Sequence, residues 1–137
     1  PNLAISLHAA SPELRRRLMP VEDRYALADV LELARRYRPP ASGRVTFEYV
    51  LLRGVNDAPS EARALARLLG DLRAKVNLIP LNAAAGIPFE APSAAAVDEF
   101  ARILSDARIT VSVRKPRGED VLAACGQLHL RDSAQTP

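Results

Sequence analysis

The chain has 137 residues, is 48% hydrophobic and 26% charged, and carries a formal net charge of +3. That is enough chain for one domain with a real core, and its composition is that of an ordinary globular protein, not of a disordered, collagenous or disulfide-stapled one. One cysteine excludes an internal disulfide and fits a reducing compartment; no apolar run nears the roughly 20 residues of a membrane span, and no charged-then-apolar leader opens the chain.

Arginine supplies nearly all the positive charge, since Lys75 and Lys115 are the only lysines. A guanidinium bonds two phosphate oxygens at once, so the bias suits a polyanion; a high-GC genome produces the same bias. The chain opens at Pro1, its only methionine is Met19, and Leu3 to Leu7 already read as a buried strand. The expectation is a fragment, organised as one unit over 1–130 with a polar tail over 131–137.

Four apolar, β-favouring runs recur: Leu3 to Leu7, Val45 to Leu52, Lys75 to Leu81 and Ile109 to Val113. Intervals of roughly 30 to 40 residues suit strand–helix–strand crossovers and not hairpins. Between the first two runs, Ser11-Pro12-Glu13 combines an N-cap, a proline at the first helical position and an early acid, opening a helix that stops before Pro20. Leu27, Val30, Leu31 and Ala34 form the apolar stripe of a second helix, ended by Pro39-Pro40. A third helix follows Asn56-Asp57 with Ala62, Leu65, Ala66 and Leu69 facing inward. A fourth begins at Ser93 and packs through Val97, Phe100, Ala101 and Leu104. The pattern predicts an α/β fold with a mostly parallel sheet.

In such folds ligands bind at the C-terminal ends of the strands. The first run ends Ser6-Leu7-His8, the second leads into Arg53-Gly54-Val55-Asn56-Asp57, and the third ends Pro80-Leu81-Asn82. Asn56 and Asp57 read most simply as a turn that caps the next helix. Ser6 and His8 share a face by strand alternation, and with Asn82 they outline a small-molecule site; His8 alone is more often a structural hydrogen-bonder. No glycine-rich phosphate loop is present, and His8, His129 and Cys125 do not make a metal-ligand pattern.

After the last strand come Arg114-Lys115-Pro116-Arg117-Gly118-Glu119-Asp120 and then Ala123-Ala124-Cys125-Gly126-Gln127-Leu128. The basic stretch suits a phosphate backbone or is simply solvated. From the residues alone Cys125 stays open between a small buried apolar side chain and a reactive thiol.

These two strings resemble the C-terminal signature of the RlmN/Cfr family of radical-SAM RNA adenine methyltransferases. Leu3 to Ala9, Phe47 to Leu52, Gly54-Val55-Asn56-Asp57 and Val76 to Asn82 agree with that family in order and spacing. The resemblance covers all but the polar tail. It implies the later strand–helix units of a partial TIM barrel, acting on an adenine of large-subunit rRNA and also on tRNA. It implies S-adenosyl-L-methionine as cosubstrate, contacted by Ser6, Leu7, His8 and Asn82, and Cys125 as the thiol that carries the methyl group as S-methylcysteine. It also implies a four-iron four-sulfur cluster. The family's CxxxCxxC ligands and resolving cysteine are not in this chain, so they are expected upstream, and the fragment alone is expected to be inactive. The Arg114 to Asp120 run resembles the branch that methylates adenine C2, not C8. The implied setting is a cytoplasmic, monomeric enzyme without membrane contact, whose isolated fragment self-associates through its exposed first strand. The alternative is a degenerate, non-catalytic α/β module that binds RNA or a nucleotide; a barrel enzyme acting on a phosphorylated small molecule is a more distant one.

Overall fold

The computed structural model describes residues 4–18, 26–36, 45–70, 72–82 and 88–114. Four strands and four helices alternate: β1 (Ala4–Ser6), α1 (Pro12–Leu18), α2 (Leu27–Arg36), β2 (Val45–Leu51), α3 (Pro59–Leu69), β3 (Ala74–Pro80), α4 (Ala94–Asp106) and β4 (Thr110–Val113). The strands pair in sequence order, every pair parallel. This is the α/β parallel sheet that the spacing of apolar runs predicts.

Alternation within the strands decides which face is covered. Val45, Phe47, Tyr49 and Leu51 of β2, with Ala74, Val76 and Leu78 of β3, bury one face of the sheet in a cluster with residues of α2, α3 and α4. The helices supply Leu27, Leu31 and Ala34, then Ala62, Leu65 and Leu69, then Val97, Phe100 and Leu104. Val30, Ala66 and Ala101 flank these stripes and are only half-buried. The Tyr49 and Phe100 rings meet at 5.1 Å, tilted by 44°. Full burial of each large apolar side chain stabilises the fold by about 1.5–3 kcal/mol, so this face holds most of the cohesion.

A second cluster lies towards the C-terminal ends of the strands. Val50 of β2 and Leu52 just beyond it, with Ile79 of β3 and Leu81 just beyond it, join Ala9, Phe89 and Leu18 of α1. α1 therefore belongs to the lip of the sheet, whereas α2, α3 and α4 belong to its covered face.

The predicted helix starts hold at both ends of the chain. Ser11 Oγ accepts from Leu14 N at 3.3 Å, and Ser93 Oγ accepts from Ala96 N at 3.1 Å to cap α4. The expected cap of α3 is corrected. Its N-cap is Ala58, which has no side-chain oxygen to give, and Asp57 instead accepts from Gly54 N at 2.9 Å within the preceding turn. Gly54 sits at φ +69°, a conformation open to it because it has no Cβ. β1 ends at Ser6, one residue short of Leu7, and His8 follows at φ 60°, which takes the chain out of the sheet; Leu3 lies outside the described residues. Among the described residues no helix is long and apolar enough to cross a membrane.

Candidate functional site

β1 and β2 end at the same lip, and one side chain ties them there. Asn56 is completely buried. Its Oδ1 accepts from Leu52 N at 2.8 Å, and its Nδ2 donates to His8 O at 2.9 Å and to Val50 O at 2.8 Å. Its own carbonyl accepts from the Tyr49 hydroxyl at 2.8 Å. A turn residue in the sequence is thus a latch between two strand ends, and its bond to His8 spans 48 positions of the chain.

His8 completes the latch. It is 3% exposed, and its Nδ1 accepts from Val50 N at 3.0 Å. That bond places the proton of the neutral ring on Nε2. Burial, and then the charge of Arg15, lower its pKa to about 4, so the ring is neutral near pH 7. Arg15 comes from α1, is itself 3% exposed, and donates from Nη2 to Ser6 O at 3.4 Å. Burial raises the Tyr49 phenol well above its usual range, with the charges of Glu61 and Asp57 adding to the effect. Neither His8 nor Tyr49 is therefore poised for proton transfer at neutral pH.

The sequence-predicted residues fall into three positions. Ser6, Leu7 and His8 stand together at the end of β1: Ser6 half-buried, Leu7 and His8 buried. Asn82 stands two residues beyond β3 and is exposed. It lines a cavity of about 540 Å³ together with Pro80, Leu81, Pro92, Val97 and Val113. Cys125 and the basic run from Lys115 lie outside the described residues, as do the tail and the boundary assigned at 130.

One polar feature escaped the sequence reading. Ser6, Glu48, Asn77 and Ser112 are register partners across all four strands, on the face opposite α2, α3 and α4. Its signal was present in the strict alternation of Val45-Thr46-Phe47-Glu48-Tyr49 and Ala74-Lys75-Val76-Asn77-Leu78. Parallel strands buried on both faces read instead as continuous apolar runs. Among the described residues there is no group of three His, Cys, Asp or Glu side chains placed to hold a metal.

No protein-family profile matches the chain. A solved radical SAM methyltransferase from Sphaerobacter thermophilus superposes with TM-score 0.81 at 46% identity, covering 95% of this chain and 38% of that one. A domain of a pyruvate-formate lyase-activating enzyme from Bacteroides vulgatus shares the fold alone, at TM-score 0.60 and 19% identity. The sheet and helices of this chain are thus similar to those of the corresponding part of that radical SAM methyltransferase. Among curated proteins, the dual-specificity RNA methyltransferase RlmN of Geobacter sulfurreducens is 48% identical over 136 residues, and that of Rhodospirillum rubrum is 50% identical over 129. The chain is RlmN-like over 99% of its own length and spans 38% of the Geobacter protein.

Proposed function

We propose that this chain is the C-terminal part of a radical-SAM methyltransferase that acts on C2 of adenine in large-subunit rRNA and tRNA. The observation that carries the proposal is identity near one half to dual-specificity RNA methyltransferases along almost the whole chain. The strand ends support it, because they cluster at the lip where α/β folds bind ligands.

S-adenosyl-L-methionine fits residues that are present. Ser6, the Leu7–His8 stretch and Asn82 supply hydroxyl, backbone and amide groups at the ends of β1 and β3, which flank β2, and they are the groups that would hold it. When bound, it supplies an electrophilic methyl group to a thiol. His8 is neutral and spends Nδ1 on Val50, so its part is to fix the β1 end, with Nε2–H the one donor left on its ring. Cys125 receives the methyl group in this reading, and the thiol must lose its proton to do so. A four-iron four-sulfur cluster does not fit this chain, since such clusters are held by several thiolates and the chain has one cysteine. The cluster therefore requires ligands from elsewhere in the complete protein.

The test uses the complete gene product that carries residues 1–137, reconstituted anaerobically and given S-adenosylmethionine with rRNA and tRNA transcripts. Nucleoside mass spectrometry is expected to show 2-methyladenosine, and the peptide spanning Cys125 to carry one added methyl group. Cys125→Ala is expected to remove both signals. Methylated RNA from Cys125→Ala would overturn the carrier role, and 8-methyladenosine would overturn the choice of carbon. A failure to methylate RNA at all would favour a non-catalytic module.

A further inference from the structure

A regular parallel pairing of β1 with β2 would run one rung further than it does. Ser6 stands opposite Glu48, and Leu7 N donates to Glu48 O at 2.9 Å. The next rung of such a ladder sends Val50 N to Leu7 O and Ala9 N to Val50 O. Side chains take both groups of Val50 instead. Its N–H donates to His8 Nδ1 at 3.0 Å, and its carbonyl accepts from Asn56 Nδ2 at 2.8 Å. The same amide nitrogen also donates to His8 O at 2.9 Å, on the residue that leaves the sheet at φ 60°. A histidine keeps that left-handed backbone where its surroundings secure it.

The turn that contains Asn56 does not need the two amide bonds. It is closed by Leu52 N donating to Asn56 Oδ1 at 2.8 Å, and by Val55 N and Asn56 N donating to Leu52 O at 3.1 and 3.3 Å. An aspartate serves such a turn as well as an asparagine does. What an aspartate lacks is the N–H₂ group. Here that group bonds two carbonyls, in a residue with no exposure to water.

We propose that Asn56 is a positioning residue for cosubstrate binding. Its amide stands in for a rung of the sheet, holds the end of β1 away from further pairing with β2, and so keeps the lip from Ser6 to His8 in the shape that receives the ligand. Asn56 itself is buried and acts through His8. The inference rests on the methyltransferase reading, because the ligand meant is S-adenosylmethionine. Without the amide, β1 can continue along β2 by one rung, which turns the Leu7–His8 peptide and redirects the His8 ring. Ligand then binds only the latched fraction of molecules, and the apparent affinity drops with that fraction.

The experiment titrates S-adenosylmethionine calorimetrically into the complete, cluster-loaded gene product and into its Asn56→Asp and Asn56→Ala variants. It reads the dissociation constant and the number of sites separately. Both variants are expected to keep the number of sites and to raise the dissociation constant roughly tenfold or more, as when the latched form falls to about a tenth of the population. A role in folding alone gives fewer sites at the parental constant, and that result overturns the inference. So does Asn56→Asp binding at the parental constant, because the turn then suffices. Should neither variant fold, hydrogen exchange of the unsubstituted protein decides the matter. Coupling is reciprocal, so S-adenosylmethionine is expected to slow exchange at the Leu52 amide, which donates to Asn56 Oδ1. Unchanged exchange there overturns the inference and leaves the methyltransferase reading intact. Failure of the unsubstituted protein to bind S-adenosylmethionine overturns that reading, and the inference with it.

Discussion

His8 sets a pH limit on the lip that can be measured directly. Unfolded, its imidazole titrates near its ordinary value of 6.5; folded, its pKa is lowered to about 4. Between those values the unfolded chain binds a proton that the native chain refuses. Stability is therefore full above pH 6.5 and falls as the pH drops towards 4, by at most roughly 1.4 kcal/mol per pH unit. His8→Asn keeps an acceptor for Val50 N and tolerates a left-handed backbone, but does not titrate. Urea unfolding of the 137-residue chain at pH 7.5 and 5.0 is expected to show a smaller loss in His8→Asn than in the parent. Equal losses would assign the effect to other groups. The sequence made His8 visible as a polar strand end but not the kind of polar residue it is. Its burial depends on Asn56 and Val50, which lie more than 40 positions away. For the same reason Asn56 reads as a surface turn, because turn propensity is local and its three bonds to the strand ends are not.

At the scale of elements, boundaries were legible wherever a local signal decided them. Ser93 caps α4 as the sequence implies, and Pro12 opens α1 behind Ser11. The start of α3 was misread because Asp57 looks like a cap, while the backbone places Ala58 in the cap position at φ −71° and ψ 151°. That is cap geometry with no cap, and it leaves a helix N–H without a side-chain acceptor. Ala58→Ser supplies the hydroxyl, and Glu61 then stands three positions on, where a capping-box acid belongs. Burial raises the Glu61 pKa, so a return bond to its carboxylate adds to the gain. Ala58→Ser is expected to raise stability by about 1 kcal/mol, read as a higher urea midpoint at unchanged slope. A lower midpoint would mean that the hydroxyl does not reach the N–H groups of α3. The strands carried a second legible signal: alternation told that one face is polar. The register that aligns Ser6, Glu48, Asn77 and Ser112 is a property of pairing, and no single strand contains it.

For the molecule as a whole, the open sheet matters most. β1 and β4 are its two edges among the described residues, and the face bearing Glu48 and Asn77 is not covered by α2, α3 or α4. Leu7 N bonds to Glu48 O at 2.9 Å, so in a parallel ladder the groups of odd residues in β1 face β2, and those of Ala4 and Ser6 face outward. Ser6 O is engaged by Arg15, which leaves the outward edge at Ala4 as the place where another strand can add. The chain spans 38% of the Geobacter relative, so the corresponding edge in that protein has far more polypeptide available to cover it. Purified as 137 residues, the chain is expected to self-associate with rising concentration in sedimentation velocity. Ala4→Lys puts a charge on an exposed edge position that has no packing to lose, and is expected to shift the distribution towards monomer while the circular dichroism stays the same. If the parent is monomeric at every concentration, the edge is not adhesive. If Ala4→Lys associates as the parent does, the contact lies elsewhere, and the polar face is the next surface to substitute.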